Sequence, residues 1–259
     1  MMSVAPSPEE IYERAEKEGE RRLSMSLLET VSTAFIAGVT IVFGIVGLGV
    51  AAALVEPALG RELGSLAGAL AFGIGIVFLV VGRTELFSEN LFDPVAAAVR
   101  RPGRKVWGRL VWLWVLVLVL NLVGGAVLLA VMLVEGALPA GSGAVLDRVA
   151  EEVAAKSPLA TLARAVLAGA LVALLSYLLN AVDSVAARVL VAYMVGVFLA
   201  LGPFDHVVVS ALHLLFGIWS SGVVGYGDLW ANLGLSTLGN VVGGLLLITF
   251  THTAQVKGA

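Results

Sequence analysis

The chain has 259 residues, of which 59% are hydrophobic and 14% are charged, and its net charge is −3 at pH 7. This composition excludes an ordinary soluble domain, and the charge excludes a polycationic surface for nucleic acid. No cysteine is present, which excludes thiolate catalysis, thiolate metal sites and disulfides. Apolar runs of about twenty residues instead predict membrane helices, so we expect an all-α membrane protein.

The N-terminal segment predicts a cytoplasmic helix ahead of the membrane domain. Ser7-Pro8-Glu9-Glu10 combines an N-cap serine, a first-turn proline and the acidic residue of a capping box. We expect this helix to be solvated or interfacial and to weaken at Gly19. The segment lacks the apolar core of a signal peptide. The predicted units are therefore a helix over 1–25, a six-span domain over 26–253 and a cytoplasmic tail over 254–259.

Six apolar segments predict six transmembrane spans, two of which are too long for a single crossing. As a continuous helix, residues 63–99 would extend beyond ~50 Å, whereas the hydrocarbon core is ~30 Å thick. Each long segment contains a polar interruption, so we expect spans 2 and 5 to be broken near the middle of the membrane. The predicted spans are about 27–55, 63–99, 110–134, 160–181, 186–219 and 229–250.

The first interruption runs from Gly82 to Asn90 and contains Arg83, Glu85 and Glu89. Lipid does not tolerate these charges, and irregular backbone at this depth requires protein or a water-filled cavity around it. We therefore expect this break to face a pathway. Arg83 is expected to form a buried ion pair with Glu85 or Glu89 that holds the loop. The alternative is that Arg83 faces the pore and attracts anions.

The second interruption is Gly202-Pro203-Phe204-Asp205-His206, in which the Gly-Pro pair breaks the helix. His206 is the one histidine in either break, and a buried neutral imidazole is a hydrogen-bond donor. The alternative is a core histidine that ties the break together. We expect Asp205 and Glu85 to fix the loops by accepting from backbone N–H groups. His213 is expected to pack or to face a vestibule.

An internal repeat relates the two breaks. Asn121-Leu-Val-Gly-Gly recurs as Asn240-Val-Val-Gly-Gly, an offset of 119 residues, and the same offset relates Phe87 to His206. Two halves of three spans each are inverted in the membrane, and paired interrupted segments in such halves indicate a transport site. The alternative is that the Asn-x-x-Gly-Gly motif only packs helices, because small residues allow close approach.

The basic residues predict the orientation of the spans. They concentrate in the N-terminal helix and at 100–109, whereas the opposite side has Arg61, Arg148, Lys156 and Arg164. Because cytoplasmic loops are enriched in lysine and arginine, both termini are expected in the cytoplasm of a cell-membrane protein.

The two breaks resemble those of the formate/nitrite transporter family. The first motif is Glu85-Leu86-Phe87-Ser88, with Ser for the usual Thr, and the second is Phe204-Asp205-His206, with Asp for Glu. The resemblance covers about 27–250. It implies an aquaporin-like fold of three plus three spans, a homopentamer, and one pore per protomer for small monovalent anions or their acids, such as formate or nitrite.

The same resemblance implies roles for the residues around His206. That histidine would lie between two apolar constrictions, one with Leu86, Phe87 and Phe72 and the other with Leu199. A charge at the bilayer centre costs at least ~2.5–3.5 kcal/mol, so a weak acid would cross in neutral form and need a donor. His206 and Ser88 are expected to supply hydrogen bonds to it, and Lys156 lies near the family's vestibule lysine.

The sequence thus predicts a proton-linked channel or transporter for small weak-acid anions, and not an enzyme. Motifs for metalloproteases, serine hydrolases and phosphate loops are absent, and we expect no cofactor, metal or nucleic-acid partner. Two alternatives remain. One is an aquaporin-like channel for small neutral solutes, although the paired Asn-Pro-Ala motif is absent; the other is a non-conducting scaffold or sensor.

Overall fold

The computed structural model describes residues 6–258, and in this range the chain forms helices and no strand. A 3-10 helix spans Phe87–Leu91, and a π-helical segment spans Gly243–Thr249. The α-helices are α1 Pro8–Ser24, α2 Leu27–Val81, α3 Asp93–Arg100, α4 Arg104–Met132, α5 Ser142–Ala154, α6 Pro158–Asn180, α7 Val185–Leu201, α8 Val207–Ser220, α9 Tyr226–Val242 and α10 Phe250–Lys257.

Helix α2 is two antiparallel arms joined at Gly60, where φ is +83° and ψ is 169°. Glycine adopts this conformation without steric cost, and Pro57 in the preceding turn lacks a backbone N–H. The arms fold back on each other so closely that a Cβ on Gly75 would lie 2.8 Å from the backbone of Gly44. The arms correspond to predicted span 1 and to the first part of span 2.

The described chain has four helical stretches that are long and apolar enough to cross a membrane: α2, α4, α6 and the continuous stretch 226–257. The helices α7 and α8 are apolar but shorter. An exposed stripe of valines at four-residue spacing follows α4 from Val111 to Val131. An apolar exterior of this kind is what contact with lipid or with other copies requires.

Helical structure is lost at both predicted breaks. After Val81 the chain is non-helical until the 3-10 helix begins at Phe87, and after Leu201 it is non-helical until α8 begins at Val207. The most extensive helix pairings are α2 with α4, α2 with α7 and α6 with α9. Residues 84–90 of the first break and Asp205 and His206 of the second are buried. The fold therefore encloses both breaks between packed helices.

Helix α1 corrects the expectation of a helix that weakens at Gly19. The predicted capping box between Ser7 and Glu10 is present, but the helix continues through Gly19. It packs against α3 so closely that a Cβ at position 19 would lie 2.0 Å from the carbonyl oxygen of Asp93. Ile11 and Tyr12 are buried. The glycine is therefore a point of close helix contact, not a point of weakness.

Candidate functional site

The first break is fixed by the side chain of Asn121 on α4. Its Oδ1 accepts a hydrogen bond from the backbone N–H of Phe87 (2.9 Å), and its Nδ2 donates to the carbonyl oxygen of Glu85 (3.0 Å). The same amide donates to the carbonyl oxygen of Ala34 on α2 (2.8 Å). One buried amide thus pairs two backbone groups of the break that lie outside regular helix, and it brackets Leu86.

Asn240 fixes the second break in the same way. Its Oδ1 accepts from the N–H of Val207 (3.0 Å), and its Nδ2 donates to the carbonyl oxygens of Asp205 (3.0 Å) and Ala165 (2.8 Å). The bracketed residue is His206. The pairing of His206 with Phe87 that the 119-residue offset predicted is therefore wrong by one position. The backbone contacts make Leu86 the counterpart of His206, because the breaks are related by an offset of 120.

The glycines of the repeated motif also pack as the alternative interpretation required. A Cβ on Gly124 would lie 2.1 Å from the carbonyl oxygen of Phe35, and one on Gly243 would lie 1.9 Å from that of Val166. The motif thus has two functions: its glycines allow close helix packing, and its asparagine holds the backbone of the break.

His206 is 1% exposed and has partners on both ring nitrogens. Its Nδ1 accepts from the backbone N–H of Val209 (3.4 Å) in the first turn of α8, so the ring proton lies on Nε2. Nε2 donates to Ser88 Oγ (2.8 Å), and the Ser88 hydroxyl is 3.4 Å from Oδ1 of Asn240 and donates to it. The structure therefore brings His206 and Ser88 together across the two halves of the chain.

A cavity of about 340 Å³ reaches His206 from the side of α5. We call it the α5-side cavity. Phe72 and Leu199 line it beside His206. Leu86 and Phe87 do not line it, but they are 2% exposed and belong to the same buried apolar cluster as Phe72 and Leu199. The structure thus groups Phe72 with Leu199, and not with Leu86 and Phe87 as expected, although all four are buried in one core.

Asp205 is held by cationic side chains in the α5-side cavity. Lys156 donates to its Oδ1, and Nε of Arg164 is 4.0 Å from the same oxygen. The expectation that Asp205 accepts from backbone N–H groups is therefore wrong, because the loop after α5 brings a lysine to it. Burial lowers the pKa of the Lys156 ammonium, and the hydrogen bond to Asp205 offsets part of that effect.

A second cavity, of about 370 Å³, lies on the side of α1, and we call it the α1-side cavity. There Glu85, which is 1% exposed, accepts from Arg21 (2.9 Å) and lies 3.4 Å from Nε of Arg22. Arg22 is also 3.6 Å from Asp93. Burial opposes its charge, but Glu85 and Asp93 raise the pKa of Arg22 above its usual value.

The predicted buried ion pair of Arg83 is wrong. Arg83 is exposed, has a left-handed φ of +52°, and forms no ion pair within residues 6–258. Glu85 is paired by α1 instead, and Glu89 lines the α1-side cavity with its side chain buried. Sequence reasoning missed Arg21 and Arg22. The available signal was two adjacent arginines at the end of the first helix, opposite a break with surplus acidic residues.

Two polar residues of α6 complete the first break and were also missed. Ser176 donates to the carbonyl oxygen of Glu89 (3.1 Å), and Nδ2 of Asn180 donates to Oδ1 of Asp93 (2.9 Å). Isolated polar residues within a long apolar helix were the sequence signal, because such residues point into protein and not into lipid.

Comparison with known proteins agrees with this architecture. The family model described as formate/nitrite transporter matches residues 9–254. The inner membrane protein YfdC of Escherichia coli (strain K12) is 23% identical over 248 residues, which are 95% of this chain and 78% of that protein.

Two solved structures share the fold. One, described as an FNT family ion channel, has a TM-score of 0.79 at 17% identity and covers 95% of this chain and 98% of its own. The other, described as a pentameric formate channel with formate bound, has a TM-score of 0.73 at 20% identity and covers 93% and 98%. The resemblance seen in the two breaks is confirmed: this multi-pass membrane chain belongs to the formate/nitrite transporter family, a family of channels and transporters and not of enzymes.

Proposed function

We propose that the chain conducts small monovalent weak-acid anions, such as formate or nitrite, across the cell membrane with proton linkage through His206. The observation that carries this proposal is the position of His206. It is a buried imidazole that lines the α5-side cavity together with Phe72 and Leu199, and its one N–H donates to the Ser88 hydroxyl. A pathway that narrows to apolar residues next to one donor suits a substrate that loses its charge before crossing.

The substrate pathway runs between the two cavities. Leu86 and Phe87 close the first break, and Phe72 and Leu199 narrow the α5-side cavity, so a bare anion meets a low-dielectric barrier between them. At the barrier His206 and Ser88 give hydrogen bonds to the substrate in place of the bond that they make to each other. The low dielectric strengthens these bonds and favours a protonated or proton-sharing substrate.

The proposed topology has six crossings in two inverted halves, with both ends of the chain and the α1-side cavity facing the cytoplasm. The basic residues of α1 and of 100–109 support this orientation. Because the chain lacks cysteine, single cysteines report the topology directly. In Ala144→Cys the thiol is expected to react with an impermeant maleimide from outside, and in Ala186→Cys from inside; both positions are exposed. The reverse pattern would contradict the orientation.

The proposed assembly is a homopentamer with one pore per protomer, supported by the fold shared with a channel described as pentameric. The exposed valine stripe of α4 provides apolar surface for lipid or for neighbouring copies. Mass measurement of the detergent-solubilised protein tests this stoichiometry.

Uptake by proteoliposomes tests the function. Formate, nitrite, acetate and lactate are each supplied at two external pH values, and glycerol serves as a neutral control. We expect uptake of at least one weak acid to exceed that of glycerol and to increase at the lower pH. Glycerol flux without acid flux would favour an aquaporin-like channel. The absence of any flux from an intact oligomer would favour a scaffold or sensor.

A further inference from the structure

A groove of about 550 Å³ adjoins the α1-side cavity. It lies between α1, the residues that follow α2, and the start of α7. Three arginines line it, Arg14, Arg83 and Arg188, and we call it the arginine groove. The same three arginines also line the α1-side cavity. A molecule bound in the groove would therefore sit beside the α1-side cavity.

The charges of the arginine groove leave two positive charges unbalanced. Among the described residues that line it, Asp183 is the one carboxylate, and it accepts from Nη1 of Arg14 (2.6 Å). Arg83 and Arg188 form no ion pair within residues 6–258. Two surplus cations match a doubly charged anion. Guanidinium groups suit phosphate in particular, because their parallel N–H groups pair with two phosphate oxygens.

The end of α6 holds two of these arginines in position. Nη1 of Arg14 donates to the carbonyl oxygen of Asn180 (3.1 Å), and Nη2 of Arg188 donates to that of Leu179 (2.9 Å). The last carbonyl groups of a helix lack helical partners, so these bonds are favourable without any ligand. A guanidinium has five N–H donors, so both arginines keep donors for a ligand. Their side chains are thus ordered before a ligand arrives.

Contacts within the described chain do not explain Arg83. Its side chain is exposed and forms no hydrogen bond or ion pair within residues 6–258. It is also the one non-glycine residue of this range with a positive φ, +52°. A left-handed conformation costs free energy at a residue that has a Cβ, and such strain clusters at ligand clamps and other functional sites. The strained turn therefore keeps a guanidinium at the groove that the fold does not itself use.

We propose that the arginine groove binds a doubly charged phosphate group, to which Arg14, Arg83 and Arg188 donate. Val81 and Val185 also line the groove and are exposed, so it is open to the outside of the helix bundle. The phosphate can therefore belong to a soluble molecule or to a lipid head group. The bound dianion repels monovalent anions in the adjoining cavity and slows their passage. This effect on transport rests on the proposed function, whereas the binding does not.

The thermal midpoint of the solubilised oligomer tests the binding, because a ligand that binds the folded state raises that midpoint. The soluble probes are sodium phosphate and glycerol 3-phosphate at about pH 8, where phosphate is doubly charged. Sodium chloride at equal ionic strength is their control. The lipid probe is short-chain phosphatidic acid, with phosphatidylcholine as its control. We expect at least one phosphate probe to raise the midpoint above its control, and the probe that does so identifies the source.

Arg83→Gln should raise the probe concentration for a half-maximal thermal shift about tenfold, as expected for the loss of one hydrogen bond to a charged group. Arg83→Lys keeps the charge but not the parallel donors, so it should raise that concentration by less. Arg104→Gln is the matched control, because Arg104 is also exposed and lies outside the groove, on the side that is proposed to be cytoplasmic. This control should keep the wild-type shift.

Formate uptake by proteoliposomes tests the effect on transport. Phosphate on the α1 side should lower the uptake relative to chloride at equal ionic strength, and Arg83→Gln should relieve this inhibition. Each variant is compared with itself in the two salts, so a change in its basal rate does not affect the result.

The inference is overturned if no phosphate probe raises the midpoint above its control. It is equally overturned if Arg83→Gln and Arg104→Gln behave alike, since general charge attraction would then explain the shift. If uptake is normal and phosphate does not change it, the effect on transport is overturned. Failure of the proposed function looks different: the wild type takes up no weak acid, while an Arg83-dependent thermal shift still supports the site.

Discussion

The two breaks have the same backbone support and different chemistry. In each, one buried asparagine accepts from an N–H after the break and donates to the carbonyl two residues before it. The residue between is Leu86 in one case and His206 in the other. The same hydrogen-bond pattern therefore holds an apolar side chain, Leu86, in one half and an imidazole, His206, in the other.

The acidic residue of each break extends the comparison. Glu85 and Asp205 occupy equivalent positions, and each is paired by two cationic residues. The cations come from α1 in the first case, and from the loop after α5 (Lys156) and from α6 (Arg164) in the second. The two halves therefore share the backbone conformation of the break and its acidic residue, Glu85 or Asp205. The cations that pair with these acidic residues come from segments that are not equivalent in the two halves. We expect the shared asparagines to matter most for stability, and the side chains that differ between them, Leu86 and His206, to matter most for transport.

The largest expected effect comes from removing the shared support. Asn121→Ala and Asn240→Ala each leave one N–H and one carbonyl group of a break without their side-chain partner in the core, and they also remove a hydrogen bond to a helix carbonyl of Ala34 or Ala165. At about 1–3 kcal/mol per group, each variant should lose roughly 3 kcal/mol or more in free energy of unfolding. Thermal unfolding of the solubilised oligomer measures the loss. Asn232→Ala is the control, because Asn232 is buried and, among residues 6–258, its side chain is hydrogen-bonded to Ser236 alone.

If the two asparagine variants differed strongly, with only one of them falling below the Asn232 control, the equivalence of the breaks would be contradicted.

Removing a cation from the first break should have the next largest effect. Arg22→Gln leaves Glu85 and Asp93 without their most buried counter-ion, and breaking such a pair costs about 3 kcal/mol. Arg21→Gln should cost clearly less, since Arg21 is more exposed and Arg22 still pairs Glu85. Thermal midpoints of the two variants make the comparison. Equal midpoints, or a lower one for Arg21→Gln, would contradict the assignment of Arg22 as the main counter-ion.

The smallest effect is expected at Arg83. Because its side chain is exposed and unpaired in the described chain, Arg83→Gln should change the free energy of unfolding by less than about 0.5 kcal/mol. Uptake from the α1 side should fall if the guanidinium attracts anions to the cavity mouth. A loss of stability like that of Arg22→Gln would restore a structural role to Arg83.

The sequence was most informative where one physical rule dominated. Hydropathy located the long helices, and the Gly-Pro pair at 202–203 and the charges at 83–89 located the breaks, because lipid tolerates neither irregular backbone nor exposed charge. The capping box at Ser7 was also predictable, because it joins residues only three positions apart. Each of these features depends on residues close together in the chain.

The remaining features depend on contacts between distant segments. The breaks are related by an offset of 120 residues, one more than the offset of the Asn-x-x-Gly-Gly motifs. This difference could be identified only from the hydrogen bonds of Asn121 and Asn240. The docking of α1 depends on a close approach at Gly19 to α3. The π-helical segment at 243–249 interrupts only the second half, where Thr249 donates to the carbonyl oxygen of Leu91 (2.6 Å), and no periodicity predicted it. Long-range packing overrides local pattern in all three cases.

The pH dependence of weak-acid uptake in His206 variants tests the account most directly. In wild-type proteoliposomes, uptake should increase as the external pH falls, because more substrate is available in the neutral form. His206→Asn keeps a donor but has no titratable proton, so it should abolish or alter that pH dependence while the size-exclusion profile of the oligomer stays unchanged. His206→Phe should stop uptake. Wild-type rates and an unchanged pH profile in both variants would contradict the account and leave His206 as a core residue of the second break.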